Sequence, residues 1–352
     1  MKRRTTILLA GVIPVLATVA TLSGPATTSA HAATSWGGGL PQQLYAPYYE
    51  SYDTSTDMAS LAQQSGARYL TLAFLETAQA GSCTAYWNGL TTQPISPATF
   101  GSDISQIQAT GGNVIPSFGG YTADTTGTDI ADSCDSVPAI AAVYESLITT
   151  YNVPRIDLDV EGTSVTNTAG INRRNEAIAM TEAWARANGR SIQFSYTLPT
   201  NPTGLPAAEL AVLQNAVADG AVISTVNLLT FDYYIGTEQN MLTDTESAAT
   251  ALIGQLQTLY PNEPSWQLSH MVGITEMPGI DDFGPDETFT QAQAFALVNW
   301  ARQNGIGMLS IWALQRDNGG CPGTKGASTC SGLTQPPWFF SHVFEGFGGF
   351  GF

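Results

Sequence analysis

Basic residues are scarce in this chain. Twelve Lys and Arg stand against 29 Asp and Glu, a formal net charge of −17. A surface so acidic repels the phosphates of nucleic acid and excludes it as a partner. It leaves room for a neutral polymer such as a polysaccharide, and it keeps an exported protein soluble. Histidine is rarer still, with only His270 and His342 beyond the first 32 residues. No Cys/His spacing suits zinc, so neither a metal nor another cofactor is expected. A long apolar run is also missing. The best one, Ile7 to about Leu22, is broken by Gly11, Pro14 and Thr18 and is too short to be a good membrane span. No membrane association is expected, and no low-complexity linker divides the rest of the chain.

What the N-terminus does have is a basic head (Lys2, Arg3, Arg4), that apolar run, and Ala30-His31-Ala32 as a small-x-small cleavage site. This is the layout of an export signal over residues 1–32. Removing it leaves 33–352 as a single domain with a net charge of about −20, expected to be secreted and a monomer. In an exported chain four cysteines read as two disulfides. Cys321 and Cys330 share a short Gly/Ser/Thr loop, which leaves Cys83 to pair with Cys134.

Along 33–352, short apolar runs alternate with stretches of helical pattern. The runs are 43–47, 69–75, 113–117, 155–160, 192–198, 226–231, 268–274 and 308–312. Helices are expected over 54–64, 97–109, 137–150, 171–188, 205–218, 246–259, 290–303 and 337–343. Eight such alternations predict an α/β fold, the (β/α)8 TIM barrel. A doubly wound sheet commonly shows a Gly-rich turn after its first strand. Here Pro47-Tyr48-Tyr49-Glu50 stands there instead. A barrel places its chemistry at the C-terminal ends of its strands.

The fourth run reads Arg155-Ile156-Asp157-Leu158-Asp159-Val160-Glu161-Gly162. Spacing of two puts the three acids on one strand face, with Ile156, Leu158 and Val160 on the other. The acids therefore point into the barrel, with Glu161 nearest the mouth. Like charges so close raise at least one pKa, which suits a general acid. Glu161 is the expected acid, Asp159 its partner, and Asp157 the group that holds Asp159. A calcium loop of this pattern needs a bidentate Glu at its twelfth position, and Thr168 stands there.

This strand resembles the Asp-Gly-x-Asp-x-Asp-x-Glu signature of glycoside hydrolase family 18, the chitinases. Asp157, Asp159 and Glu161 match its last three acids, while Pro154 and Arg155 replace its first Asp and Gly. Ser117-Phe118-Gly119-Gly120 is similar to the family's Ser-x-Gly-Gly. Ser195-Tyr196-Thr197-Leu198-Pro199 looks like its fifth strand. Leu229-Thr230-Phe231-Asp232 falls where the family has Met-x-Tyr-Asp, and Trp312 where it has the pocket-floor tryptophan.

The resemblance implies a chitinase working by substrate assistance. Glu161 is then acid and base, Asp159 stabilises the intermediate, and Asp232 shapes the acid's surroundings and binds sugar. Trp312 is the expected stacking surface. Gly119, Gly120 and Tyr48 are expected to line the substrate site. Phe231 replaces a tyrosine that donates to the acetamido oxygen. Tyr196, Gln193 or Tyr233 is expected to supply that donor, Tyr233 last because it should face away from Asp232. Tyr49, Tyr86, Trp87 and Tyr121 are candidate outer subsites or ordinary loop packing, whereas Trp266 and Trp300 read as structural. Two other functions share this pattern: an endo-acting N-acetylglucosaminidase on N-glycans, and an inactive chitin-binding lectin.

Overall fold

The computed structural model describes residues 40–348. The expected export segment and the end of the Gly/Phe tail lie outside the described residues. Eight strand positions form a parallel barrel. β1 is broken in two, Leu44–Tyr45 and Tyr48–Glu50, and is followed by β2 (Tyr69–Thr77), β3 (Asn113–Gly119) and β4 (Arg155–Asp159). β5 (Gln193–Pro199), β6 (Ile223–Leu229), β7 (Val272–Glu276) and β8 (Met308–Ile311) complete it. Each strand pairs with the next, and the two pieces of β1 close the circuit. Leu44 aligns with Met308 of β8, and Tyr48 with Thr71 of β2. The break falls at Ala46-Pro47, where proline has no N–H for the ladder. Its carbonyl still accepts from Thr71 N–H at 2.9 Å.

Eight main helices cover the barrel, at the positions expected: α1 (Met58–Ser65), α2 (Gly101–Ala109), α3 (Val137–Tyr151), α4 (Thr168–Ala187), α5 (Ala207–Asp219), α6 (Met241–Leu259), α7 (Gln291–Gln303) and α8 (Phe339–Glu345). Their starts are written in the sequence. Asn167 accepts from Gly170 N–H ahead of α4, and Thr290 with Gln293 forms a reciprocal cap on α7. Among the described residues no helix is long and apolar enough to cross a membrane.

Two strands are displaced from their expected positions. β7 begins at Val272, not Leu268, because Ser265–His270 winds into a short helix that starts on Pro264. β6 spans Ile223–Leu229, so Thr230 and Phe231 lie beyond it. Both cysteine pairs are bonded, with Cα–Cα distances of 4.6 Å for Cys83–Cys134 and 5.9 Å for Cys321–Cys330. The first ties the loop after β2 to the short helix Ile130–Ser133.

The apolar core lies between strands and helices. Ile156, Leu158, Phe194, Leu198, Leu228 and Ile274 are fully or almost fully buried against side chains such as Tyr144, Ile178, Leu213 and Leu252. Each such side chain contributes roughly 1.5–3 kcal/mol. The barrel interior is different. Ser117, Asp157, Ser195, Thr197, Asn227, Thr275 and Ser310 are all buried, and most bond one another.

Candidate active site

The parity of β4 is settled by its partners. Asp157 Oδ1 accepts from Ser195 Oγ at 2.6 Å and Thr197 Oγ1 at 3.0 Å. Its Oδ2 accepts from Ser117 Oγ at 2.7 Å and the Tyr48 hydroxyl at 3.0 Å. Four hydroxyls, from the two flanking strands and from β1 across the barrel, thus converge on one carboxyl. Burial raises the Asp157 pKa and these donors pull it back down.

Asp159 sits one pleat higher, 3 % exposed, and its Oδ1 has no hydrogen-bond partner among the described residues. Burial, then the charges of Glu161, Asp157 and Asp124, hold its pKa well above the usual carboxylate range. Glu161 follows the strand at the mouth. Its pKa is raised to about 7 by burial, against the backbone N–H of Tyr121 that donates to its carboxylate. Burial thus raises all three acids, Glu161 to about 7.

The two glycines at the end of β3 make this arrangement sterically possible. Gly119 has φ +96°, and a Cβ there would stand 2.1 Å from the Asp159 carbonyl oxygen. Gly120 N–H donates to that oxygen at 2.9 Å, and a Cβ on Gly120 would meet the Phe74 ring at 2.6 Å. Both act by backbone closeness, and each is buried.

Trp312 follows β8, partly exposed, with its ring stacked on Phe74 at 5.6 Å and 17°. Tyr48 meets Trp312 edge-on at 5.4 Å from below and is itself fully buried. It supports the pocket floor and Asp157, and is not exposed as a sugar-binding surface. Phe74 escaped the sequence reading. A register shift between Ala73 and Leu75 inserts it as an extra residue of β2 and turns it beside Trp312. Nothing in the apolar run 69–77 marks that bulge.

Two expected donors are elsewhere. Gln193 lies at the entrance of β5, where its Oε1 accepts from Arg155 Nη2 at 2.7 Å and Nε at 3.0 Å. Both residues are buried at the barrel floor, far along the strands from Glu161. Arg155, where the family signature has glycine, fills that floor. Tyr196 has the wrong parity. Ser195 and Thr197 face inward, so Tyr196 points at α4 and donates to Asn175 Oδ1 at 2.8 Å.

Tyr233 also turns outward. Its N–H donates to Glu287 Oε2 at 2.8 Å, and its buried ring lies near Glu276 and Thr245 of α6. Phe231 packs, partly buried, against the main core. Asp232 takes a left-handed conformation, φ +53°, that a non-glycine residue adopts sparingly. Its N–H donates to Asp281 Oδ2 at 3.1 Å, and its Oδ1 accepts from Asp282 N–H at 3.2 Å. Burial and the Asp281 charge push its pKa up to about 8.

Of the other aromatics, Trp87 and Tyr49 are buried, Tyr121 is exposed beside Glu161, and Trp266 is exposed far from the mouth. Trp300 packs against the core. Asp317 is a helix cap, accepting from the Phe340 and Ser341 N–H groups of α8. A second acidic group, Asp124, Asp129 and Asp132, also went unread in the sequence. Its cation is already present: Arg174 of α4 lies 2.8 Å from Asp129 and 3.9 Å from Asp132.

No family model matches the chain. It is 32% identical to a probable bifunctional chitinase/lysozyme of Escherichia coli, over 87% of this chain and 35% of that protein. It is 31% identical to Endochitinase 11 of Metarhizium anisopliae, over 79% of this chain and 53% of that protein. The chain thus spans about a third to a half of the length of the curated relatives it matches. Catalytic-site mutants of active domain 2 of a thermostable Pyrococcus furiosus chitinase, complexed with chito-oligosaccharides, superpose with a TM-score of 0.76. That likeness has 27% identity and covers 89% of this chain and 97% of that one. These likenesses run over the barrel that carries Asp157, Asp159 and Glu161, and the chain is similar in sequence and in fold to chitinases.

Proposed function

We propose that the protein is a secreted chitinase. It hydrolyses β-1,4 linkages between N-acetylglucosamine units with retention, using the substrate's own acetamido group. One observation carries this reading: Glu161, its pKa raised to about 7, stands at the mouth beyond a buried Asp159 whose Oδ1 has no partner among the described residues. The aromatic floor of Trp312 and Phe74 beside it suits the apolar face of a sugar ring.

Glu161 gives its proton to the glycosidic oxygen as the bond to the anomeric carbon breaks. The acetamido carbonyl oxygen attacks that carbon from the other face, and an oxazolinium ion forms. The unpartnered Oδ1 of Asp159 accepts the acetamido N–H and stabilises the positive charge. Glu161, now ionised, takes a proton from the water that opens the ring.

The test is product analysis with the mature protein and its Glu161→Gln variant. A chitin hexamer and a high-mannose glycopeptide are followed separately by mass spectrometry, and the first-formed anomer by NMR. Short β-anomeric N-acetylglucosamine oligomers are expected, with turnover at least about 10²-fold lower in the variant. Released glycan would reassign the protein to the N-glycan enzymes. Binding of the hexamer without any product would make it a lectin. Secretion is checked by N-terminal sequencing of the protein from culture medium, with Ala33 expected first.

A further inference from the structure

Glu161 is gripped from outside the barrel by residues that no step above uses. The six-residue helix Tyr121–Thr126 follows Gly120 and lies against the end of β4. Its first residue donates a backbone N–H to the Glu161 carboxylate. Its fourth, Asp124, is fully buried, and its Oδ2 accepts the backbone N–H of Glu161. Thr163 Oγ1 donates to the Asp124 carbonyl oxygen, so the loop after Glu161 is tied to the same residue. Asp124 N–H in turn donates to Gly120 O at 3.0 Å, which links the clasp to the glycine pair beside Asp159.

We propose that Asp124, in its neutral form, is the positioning residue of the catalytic acid: it fixes the Glu161 main chain and seals the acid's outer side from water. The inference rests on the reading of Glu161 as that acid.

Charge balance supports the neutral form. Arg174 is the buried cation of this cluster, and it lies against Asp129 and Asp132. Its Nη1 and Nε have no partner among the described residues, so Asp124 makes no bond to it. Arg173, at the rim, bonds Asp135 at 3.0 Å and the carbonyls of Ala131 and Asp132. Arg174 attracts a charge at Asp124 as well, but it is shared with the nearer Asp129 and Asp132, and Asp159 and Glu161 repel such a charge from the other side. Asp124 Oδ1 is buried without a partner, as expected of a carboxyl held by shape rather than by ion pairing. Burial and then Asp129 raise its pKa well above the usual range, in agreement.

The experiment compares Asp124→Asn with Asp124→Ala in the full mature chain. Asn keeps the acceptor and the volume without a charge. Its turnover is expected within about threefold of wild type, with an unmoved basic limb. Ala loses the acceptor and admits water. Its kcat should fall ~10–100-fold with KM little changed, and the basic limb should move to lower pH. A 13C titration of the Glu161 side chain, which needs no turnover, should show the same downward shift in Ala and none in Asn. Thermal melts identify a variant that has not folded, and then the Asn titration alone decides. A shift of Glu161 in Asn would mean Asp124 is charged, overturning the proposal. An Ala variant with wild-type kcat and titration would overturn the positioning role. Loss of the Glu161 reading has a separate signature: Glu161→Gln would keep full activity whatever Asp124 does.

Discussion

Replacing Ser195 by alanine should narrow the pH range of activity from its acid side. The 2.6 Å bond from Ser195 Oγ is the shortest of those to Asp157. A hydrogen bond to a buried charged group is worth about 1.5–3 kcal/mol, more than a neutral one. At 1.36 kcal/mol per pKa unit, its loss raises the Asp157 pKa by roughly one to two units. Thr197, Ser117 and Tyr48 remain, so the carboxylate is weakened rather than abolished. Protonating Asp157 removes the charge that fixes Asp159, so the acid limb of kcat/KM should move upward by that same one to two units. The basic limb belongs to Glu161, whose pKa of about 7 is set by burial and the Tyr121 N–H. It should stay within about 0.3 units, because Ser195 touches neither group. The measurement is kcat/KM on a fluorogenic chito-oligosaccharide across the acid and neutral range, with a melt at each pH. An acid limb that stays put while the peak falls would refute the reasoning. Asp157 would then be neutral throughout, and its four hydroxyls a matter of packing alone.

Two further outcomes follow from the same geometry. Trp312→Ala should raise KM for a chitin hexamer roughly tenfold, about 1.4 kcal/mol, because Phe74 and Tyr48 remain but the exposed ring face is gone; calorimetry of oligomer binding to Glu161→Gln checks it without turnover. Stability should fall as pH rises from 4.5 to about 8. Glu276 and Glu182 are raised by burial from 4.5 to about 8. Their folded forms therefore hold protons that the unfolded chain has released. That contribution is complete below about pH 4.5 and is lost as pH rises to about 8. Melting temperature measured over this window should decline, and Glu276→Gln should flatten the decline. A curve that rises from pH 5 to 8 in the wild type would contradict the assignment.

The barrel was legible because its signal is repeated. Each of the eight strand–helix alternations is modest, but Pro264 and the Ala46-Pro47 break displaced single elements without altering the count. The errors were of phase. A run such as 268–274 is apolar whether it forms a helix turn or a strand. Only the proline before it, reading as a helix start, distinguishes the two.

The site was legible wherever side-chain parity along one strand decided it. Asp157 and Asp159 alternate with Ile156 and Leu158, so their inward direction follows from the period of two. The same rule, carried to β5, places Tyr196 outward once Ser195 and Thr197 are recognised as the inward pair. Gln193 shares that inward parity yet sits at the floor, because depth along the strand, not parity, sets distance from the mouth. Residues that act from outside one strand's pattern stayed hidden. Phe74 depends on a bulge, and Asp124 on a short helix whose neighbours come from α4 and from the end of β4. Arg155 shows the limit most plainly. Read against the family signature, it is a lost glycine. In the barrel it is a buried cation beneath Asp157, bonded to Gln193, on the face that carries the acids. Its charge favours the ionised form of Asp157 from below, as the four hydroxyls do from the sides. The departure from the signature thus acts in the same direction as the residues that match it: toward one charge deep in the barrel and a proton kept at its mouth.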